Sequence, residues 1–229
     1  MFRSSIGTYN DNSGAIRFDI GMGPVLPPPS KGRIPAYNKT QLQKLQTEMD
    51  ALEALNVLAT PESAGVMVKH ISPSFLIKKP SGEFRLVTNF TGLSQYTRPL
   101  PSVSSSCEDV LRKLASWKYI VKTDLTKAFY QIPASKDSIP FLGTITPFKG
   151  LRVYLTSVMG APGASEYLRE VMCRVFGDFM CKGFVIVKDD DLYVGGNNIL
   201  SLTRQYRSWK RKFFVMTHLV HLFRTSHYS

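Results

Sequence analysis

The hydrophobic pattern alternates between helical and strand-like rhythms along the chain. Leu42, Leu45, Met49 and Leu52 recur at helical intervals, and Thr40 with Gln43 has capping-box spacing, so a helix is predicted from about Thr40. Phe75-Leu76-Ile77-Lys78 and Phe84-Arg85-Leu86-Val87 flank Pro80-Ser81-Gly82, the pattern of a hairpin with a glycine-containing turn. A second capping box, Ser105 with Glu108, precedes Val110, Leu111 and Leu114 and predicts a short helix ending near Trp117.

Tyr119 to Thr123 reads as a strand that delivers Asp124 at its end. Short strands are expected around Thr144-Ile145 and Val153-Tyr154. After the break at Gly160 to Gly163, the apolar stripe Leu168, Val171, Met172, Val175, Phe176 and Phe179 predicts a strong helix. Phe184 to Val187 and Leu192 to Val194 then form two short strands joined through an acidic turn. Residues 1–36, with Gly21, Gly23 and Pro27-Pro28-Pro29, read as an extended lead-in. This order of elements indicates an α+β fold, an antiparallel sheet with helices on one face.

Composition adds a functional hint. The chain has 229 residues, 43% of them hydrophobic, enough for a real core, and a formal net charge of +12. Such a surplus suits a polyanionic partner, because Lys and Arg that neutralise phosphates release counterions; a basic protein without that role has the same charge. Cys107, Cys173 and Cys181 have neither disulfide-framework nor metal-ligand spacing, which fits a reducing compartment. Met1 to Gly7 lacks an apolar core of signal-peptide type, and Phe213 to Phe223 is too short to span a bilayer. A soluble intracellular protein, cytoplasmic and without a membrane partner, is expected.

The most informative residues are Lys188-Asp189-Asp190-Asp191, between two apolar strands. Adjacent carboxylates repel one another, and a cation relieves that repulsion; taken alone, the run also fits a solvated acidic turn. Asp124 changes the balance, since it too ends an apolar strand. Two strand-end carboxylates from one hairpin and a third from another strand make the ligand set of a two-Mg²⁺ phosphoryl-transfer site. His218 and His221 have no carboxylate or thiol nearby in sequence and do not make a second metal site.

Lys122-Thr123-Asp124-Leu125-Thr126-Lys127-Ala128-Phe129-Tyr130-Gln131-Ile132-Pro133 resembles the first palm motif of retroelement reverse transcriptases. Asp190-Asp191-Leu192-Tyr193-Val194-Gly195-Gly196 is similar to their catalytic double-aspartate hairpin. Met159-Gly160-Ala161-Pro162-Gly163 resembles the motif that positions template and nucleotide, and Lys78 to Val87 the fingers hairpin. The motifs stand in the family's order between about residues 35 and 200, most like the Gypsy-type long-terminal-repeat retrotransposons.

The resemblance implies a right-hand polymerase with fingers and palm and no thumb. It places fingers at 37–98 with a return at 134–156, palm at 99–133 and 157–203, and an atypical or truncated tail at 204–229. It implies RNA-directed DNA polymerase activity on an RNA or DNA template with primer, using deoxynucleoside triphosphates. Asp124, Asp190 and Asp191 would be the catalytic residues and hold two Mg²⁺, with Mn²⁺ as a substitute. Lys78, Lys79 and Arg85 would contact the triphosphate, Phe129 would block a ribose 2′-hydroxyl, and Gly160 would let the backbone approach the template base pair. Taken without the resemblance, these residues read as a solvated hairpin, a core aromatic and a helix-start turn. Further segments of a retroelement polyprotein are expected partners.

Two features depart from the family pattern. Lys188 stands where the family usually carries Tyr, and Asp189 adds a third negative charge beside the pair. The basic, aromatic stretch from Arg204 resembles neither thumb nor ribonuclease H. It reads as a truncated end, or as a helical tail on nucleic acid. An inactive relic that only binds nucleic acid is the competing functional reading.

Overall fold

The computed structural model describes residues 16–28, 30–80, 82, 84–100, 106–124, 127–188, 191–200, 202–203 and 220–223, with Asp124 and 220–223 described by their backbone. In chain order the elements are α1 (Lys39–Ala54), β1 (Leu58–Ala59), α2 (Pro61–Ala64), β2 (Ser74–Lys78), β3 (Phe84–Thr88), α3 (Thr91–Ser94), α4 (Cys107–Ala115), β4 (Tyr119–Asp124), β5 (Gly143–Thr146), β6 (Gly150–Tyr154), α5 (Ala164–Cys181), β7 (Val185–Lys188), β8 (Asp191–Gly196) and β9 (Val220–Phe223). Short 3₁₀ turns lie at Ala128–Gln131 and Ile139–Phe141. The result is a mixed fold of α-helices and small antiparallel sheets. The chain divides into two compact units, residues 1–100 with 129–165, and residues 101–128 with 166–229.

In the first unit, β1, β6 and β5 form a three-stranded antiparallel sheet, and β2 and β3 form a separate hairpin. Leu45, Met49 and Leu52 are the buried apolar stripe of α1. The same helix holds the β5–β6 turn: Gln46 Oε1 accepts from the Phe148 N–H at 3.0 Å, and Lys149 pairs with Asp50 at 2.8 Å. The cap of α1 is Asn38, which exchanges hydrogen bonds with Gln41, so the helix starts slightly before the expected Thr40 box. Asn is at least as good an N-cap as Thr, and Gln41 stands at the same three-residue spacing.

The described lead-in is extended but not peripheral. Ile16, Phe18 and Ile20 are buried, alternating with exposed Arg17 and Asp19. Phe18 bonds through its backbone to Pro133 and Ser135, and Ser138 Oγ accepts from the Ile20 N–H at 2.9 Å. Ser74, Thr88, Thr144 and Tyr154 form a buried hydroxyl chain with successive contacts of 2.7 Å. It ties the base of the β2–β3 hairpin to the three-stranded sheet, satisfying groups that burial would otherwise penalise.

In the second unit the strand order is β7-β8-β4-β9, all antiparallel. One row of side chains, Val121, Thr123, Val185, Leu192 and Val194, is buried. Leu168, Val171, Met172 and Phe176 of α5 are buried too, and Val175 and Phe179 are half-buried. The α4 cap is Ser106, accepting from the Asp109 N–H, in place of the expected Ser105–Glu108 box; Ser105 lies outside the described residues. Val220–Phe223 is a strand beside β4 rather than part of a helical tail; the rest of the tail, with His218, lies outside the described residues. No helix among the described residues is long and apolar enough to cross a membrane.

Candidate active site

The alternation of strand side chains fixes the geometry at the ends of β4 and β8. Asp124 stands directly opposite Asp191, and Asp191 stands opposite Lys188 on its other side. Two residues along, Lys122 faces Tyr193 across the same pair of strands. The face opposite the buried row therefore carries Asp191, Tyr193, Lys122 and Lys188. Antiparallel partners have Cα atoms about 4.5–5.5 Å apart, so the backbone alone brings the two expected metal-binding positions together. Asp189 and Asp190 lie outside the described residues, as does the side chain of Asp124.

Asp191 is firmly held. Lys122 Nζ lies 2.7 Å from its Oδ2, and the Tyr193 hydroxyl donates to the same oxygen at 3.1 Å. The ammonium also sits 5.6 Å from the Tyr193 ring centroid, within cation–π range. The hydrogen bond to Asp191 holds the Lys122 pKa above the ordinary lysine value. Burial, followed by the Asp191 charge, pushes the Tyr193 phenol up. No described residue bonds to Asp191 Oδ1.

Among the described residues no group of three His, Cys, Asp or Glu side chains is arranged to hold a metal ion. The donors at the strand ends nevertheless suit a hard divalent cation. They are aspartates at the ends of adjacent strands, and among the described residues both contacts to Asp191 fall on Oδ2.

The other expected site residues lie in the first unit, apart from any described contact with Asp191. Lys78 and Lys79 are exposed at the end of β2. Arg85 on β3 is opposite Ile77, and its guanidinium donates to the Met159 thioether. The hairpin and the Met159-Gly160 turn are thus brought together. Gly160 has φ +86°, and the nearest atom to a Cβ there would be the Thr88 carbonyl oxygen at 3.9 Å, so conformation rather than crowding calls for glycine. Gly163, at φ +79°, is constrained by space as well: a Cβ would come within 2.8 Å of Leu100 Cδ1. Phe129 is half-buried in the 3₁₀ turn that follows β4.

Sequence reasoning missed Lys122 and Tyr193. Their signal was the strand period itself, since each stands two residues from an aspartate already singled out and so shares its face.

No family model matches the chain. It is 26% identical over 185 residues to the Gag-Pro-Pol polyprotein of bovine leukemia virus, covering 76% of this chain and 13% of the polyprotein. It is 30% identical over 129 residues to the Gag-Pro-Pol polyprotein of human T-cell leukemia virus 2, covering 56% of this chain and 8% of the polyprotein. The retrovirus-related Pol polyprotein from transposon 297 of Drosophila melanogaster is 26% identical over 165 residues, covering 68% of this chain and 15% of the polyprotein. The chain thus spans less than a sixth of each of these relatives.

The fold resembles that of the foamy viral protease-reverse transcriptase. In its complex with an RNA/DNA hybrid the TM-score is 0.74 at 18% identity, over 89% of this chain and 26% of that one. In its complex with double-stranded DNA the score is 0.73 at 18% identity, over 96% and 43%. The sequence matches and the shared fold together support a region of a retroelement Pol polyprotein.

Proposed function

We propose that the chain is the fingers-and-palm part of a reverse transcriptase of Gypsy-like type, adding deoxynucleotides to a primer 3′-hydroxyl on an RNA or DNA template. The observation that carries this reading is the cross-strand pairing of Asp124 with Asp191 at the ends of β4 and β8, one residue from Asp190. The fingers, 37–98 with 134–156, would lie in the first unit, and the palm, 99–133 with 157–203, would take in most of its residues from the second.

Asp124, Asp190 and Asp191 would hold two Mg²⁺ ions. When bound, the pair supplies Lewis-acid activation of the 3′-hydroxyl and charge neutralisation at the departing pyrophosphate. The exposed Lys78, Lys79 and Arg85 offer donors to a triphosphate, and the Met159 contact already orients Arg85. Phe129 would stand against a ribose 2′-hydroxyl, and the φ of Gly160 would let backbone approach the base pair. The net charge and the fold shared with a nucleic-acid-bound enzyme support a primer–template partner.

A second reading, a relic that binds nucleic acid without catalysis, is favoured by one feature. Lys188 stands directly opposite Asp191, and Lys122 pairs with that carboxylate, so two cations share the acidic strand ends. Primer extension on poly(rA)–oligo(dT) with Mg²⁺ or Mn²⁺ separates the readings. A polymerase incorporates dTMP and loses that activity in Asp190→Asn/Asp191→Asn. A folded wild-type chain that binds the duplex but incorporates nothing is the relic.

A further inference from the structure

We infer that Lys122 is a built-in counter-ion for Asp191, holding that carboxylate at the strand end before a divalent ion arrives and lowering the site's affinity for the ion. The inference rests on the two-metal reading above and adds a positioning residue to it.

Four aspartates, Asp124 and Asp189 to Asp191, fall at or beside adjoining strand ends. Without an ion, their mutual repulsion opposes the pairing of β4 with β8. Lys122 is placed to relieve it, because it shares a sheet face with Asp191 and reaches its Oδ2 at 2.7 Å. The ion pair is partly exposed, the Lys122 side chain at 40% and the Asp191 side chain at 29%, but the ammonium lies over the Tyr193 ring and the Tyr193 hydroxyl fixes the same oxygen.

Both contacts fall on Oδ2, so among the described residues Asp191 keeps Oδ1 for an ion. The same ammonium places a positive charge next to any ion bound there. Removing it returns rotamer freedom to one short side chain, a small loss of preorganisation, but takes away the nearer of two cations that repel a doubly charged ion, Lys188 staying opposite Asp191. The charge effect dominates.

The test is calorimetric Mn²⁺ titration of the full chain, with the Mn²⁺-induced rise in Tm as a second readout. Lys122→Gln is expected to bind Mn²⁺ about three- to tenfold more tightly than wild type. Lys122→Arg, which keeps the charge, retains wild-type affinity. Lys122→Thr, a strand-forming neutral residue, repeats the Gln result and replaces it if the Gln variant fails to fold. A folded neutral variant with equal or weaker Mn²⁺ affinity overturns the inference, because a merely structural ion pair changes stability without tightening the metal. If that result accompanies Mn²⁺ binding that Asp191→Asn abolishes, the two-metal reading stands and only the counter-ion role fails. A folded wild-type chain that binds no Mn²⁺ removes both.

Discussion

At the residue scale, His70 carries a cost that pH exposes. It is buried in the loop before β2, its Nδ1 has no hydrogen-bond partner among the described residues, and burial pushes its pKa below the ordinary 6.5. A base with a lowered folded pKa binds its proton more readily in the unfolded chain. Stability is therefore complete above the ordinary value and falls as pH drops through 6.5 toward the folded value. Urea midpoints at neutral pH and near pH 5 measure this, and His70→Leu should show a smaller acid-induced drop than wild type. Asp191 illustrates what single residues reveal in sequence. Its place at a strand end follows from the apolar runs around it. Its partner Lys122 looked like an ordinary exposed strand residue, because a contact between β4 and β8 joins positions 69 residues apart.

At the element scale, periodic segments were readable and edges were not. The two hairpins and α5 occur where the apolar rhythm placed them, whereas the cap of α1 falls on Asn38, with a box to Gln41, and that of α4 on Ser106, both strong capping residues. The lead-in was underestimated. Its glycines and prolines hide the alternation Ile16, Phe18, Ile20, in which the Phe18 and Ile20 backbones bond residues more than a hundred positions away. Gly195 is a different case, since the sequence motif contains it but only the fold explains it. A Cβ there would overlap the Trp117 indole, so Gly195→Ala should destabilise the second unit by about 1–3 kcal/mol in urea unfolding. In the first unit, Thr88→Val removes the central link between Ser74 and Tyr154. Leaving those buried hydroxyls short of partners should cost about 1–3 kcal/mol, read in the same experiment. An unchanged midpoint in either variant would contradict the assigned contact.

At the scale of the whole molecule, two features meet. The net charge of +12 predicts that affinity for a primer–template duplex falls at least tenfold between about 50 and 200 mM salt; a flat profile would argue against phosphate-led binding. That test does not separate a polymerase from a relic, because charge serves both. The distinction rests on the strand ends of the second unit, where β4 and β8 bring Asp124 opposite Asp191. The fold's resemblance to a protease-reverse transcriptase supports the architecture, and these strand ends would carry the chemistry of the proposed site. Anomalous diffraction from crystals grown with Mn²⁺ and primer–template tests it most directly. Anomalous peaks are expected at the ends of β4 and β8, within reach of Asp124, Asp190 and Asp191, and are expected to be lost in Asp190→Asn/Asp191→Asn. Well-ordered strand ends with no peak, or with Lys122 still closing Asp191 and Mn²⁺ bound elsewhere, would contradict it.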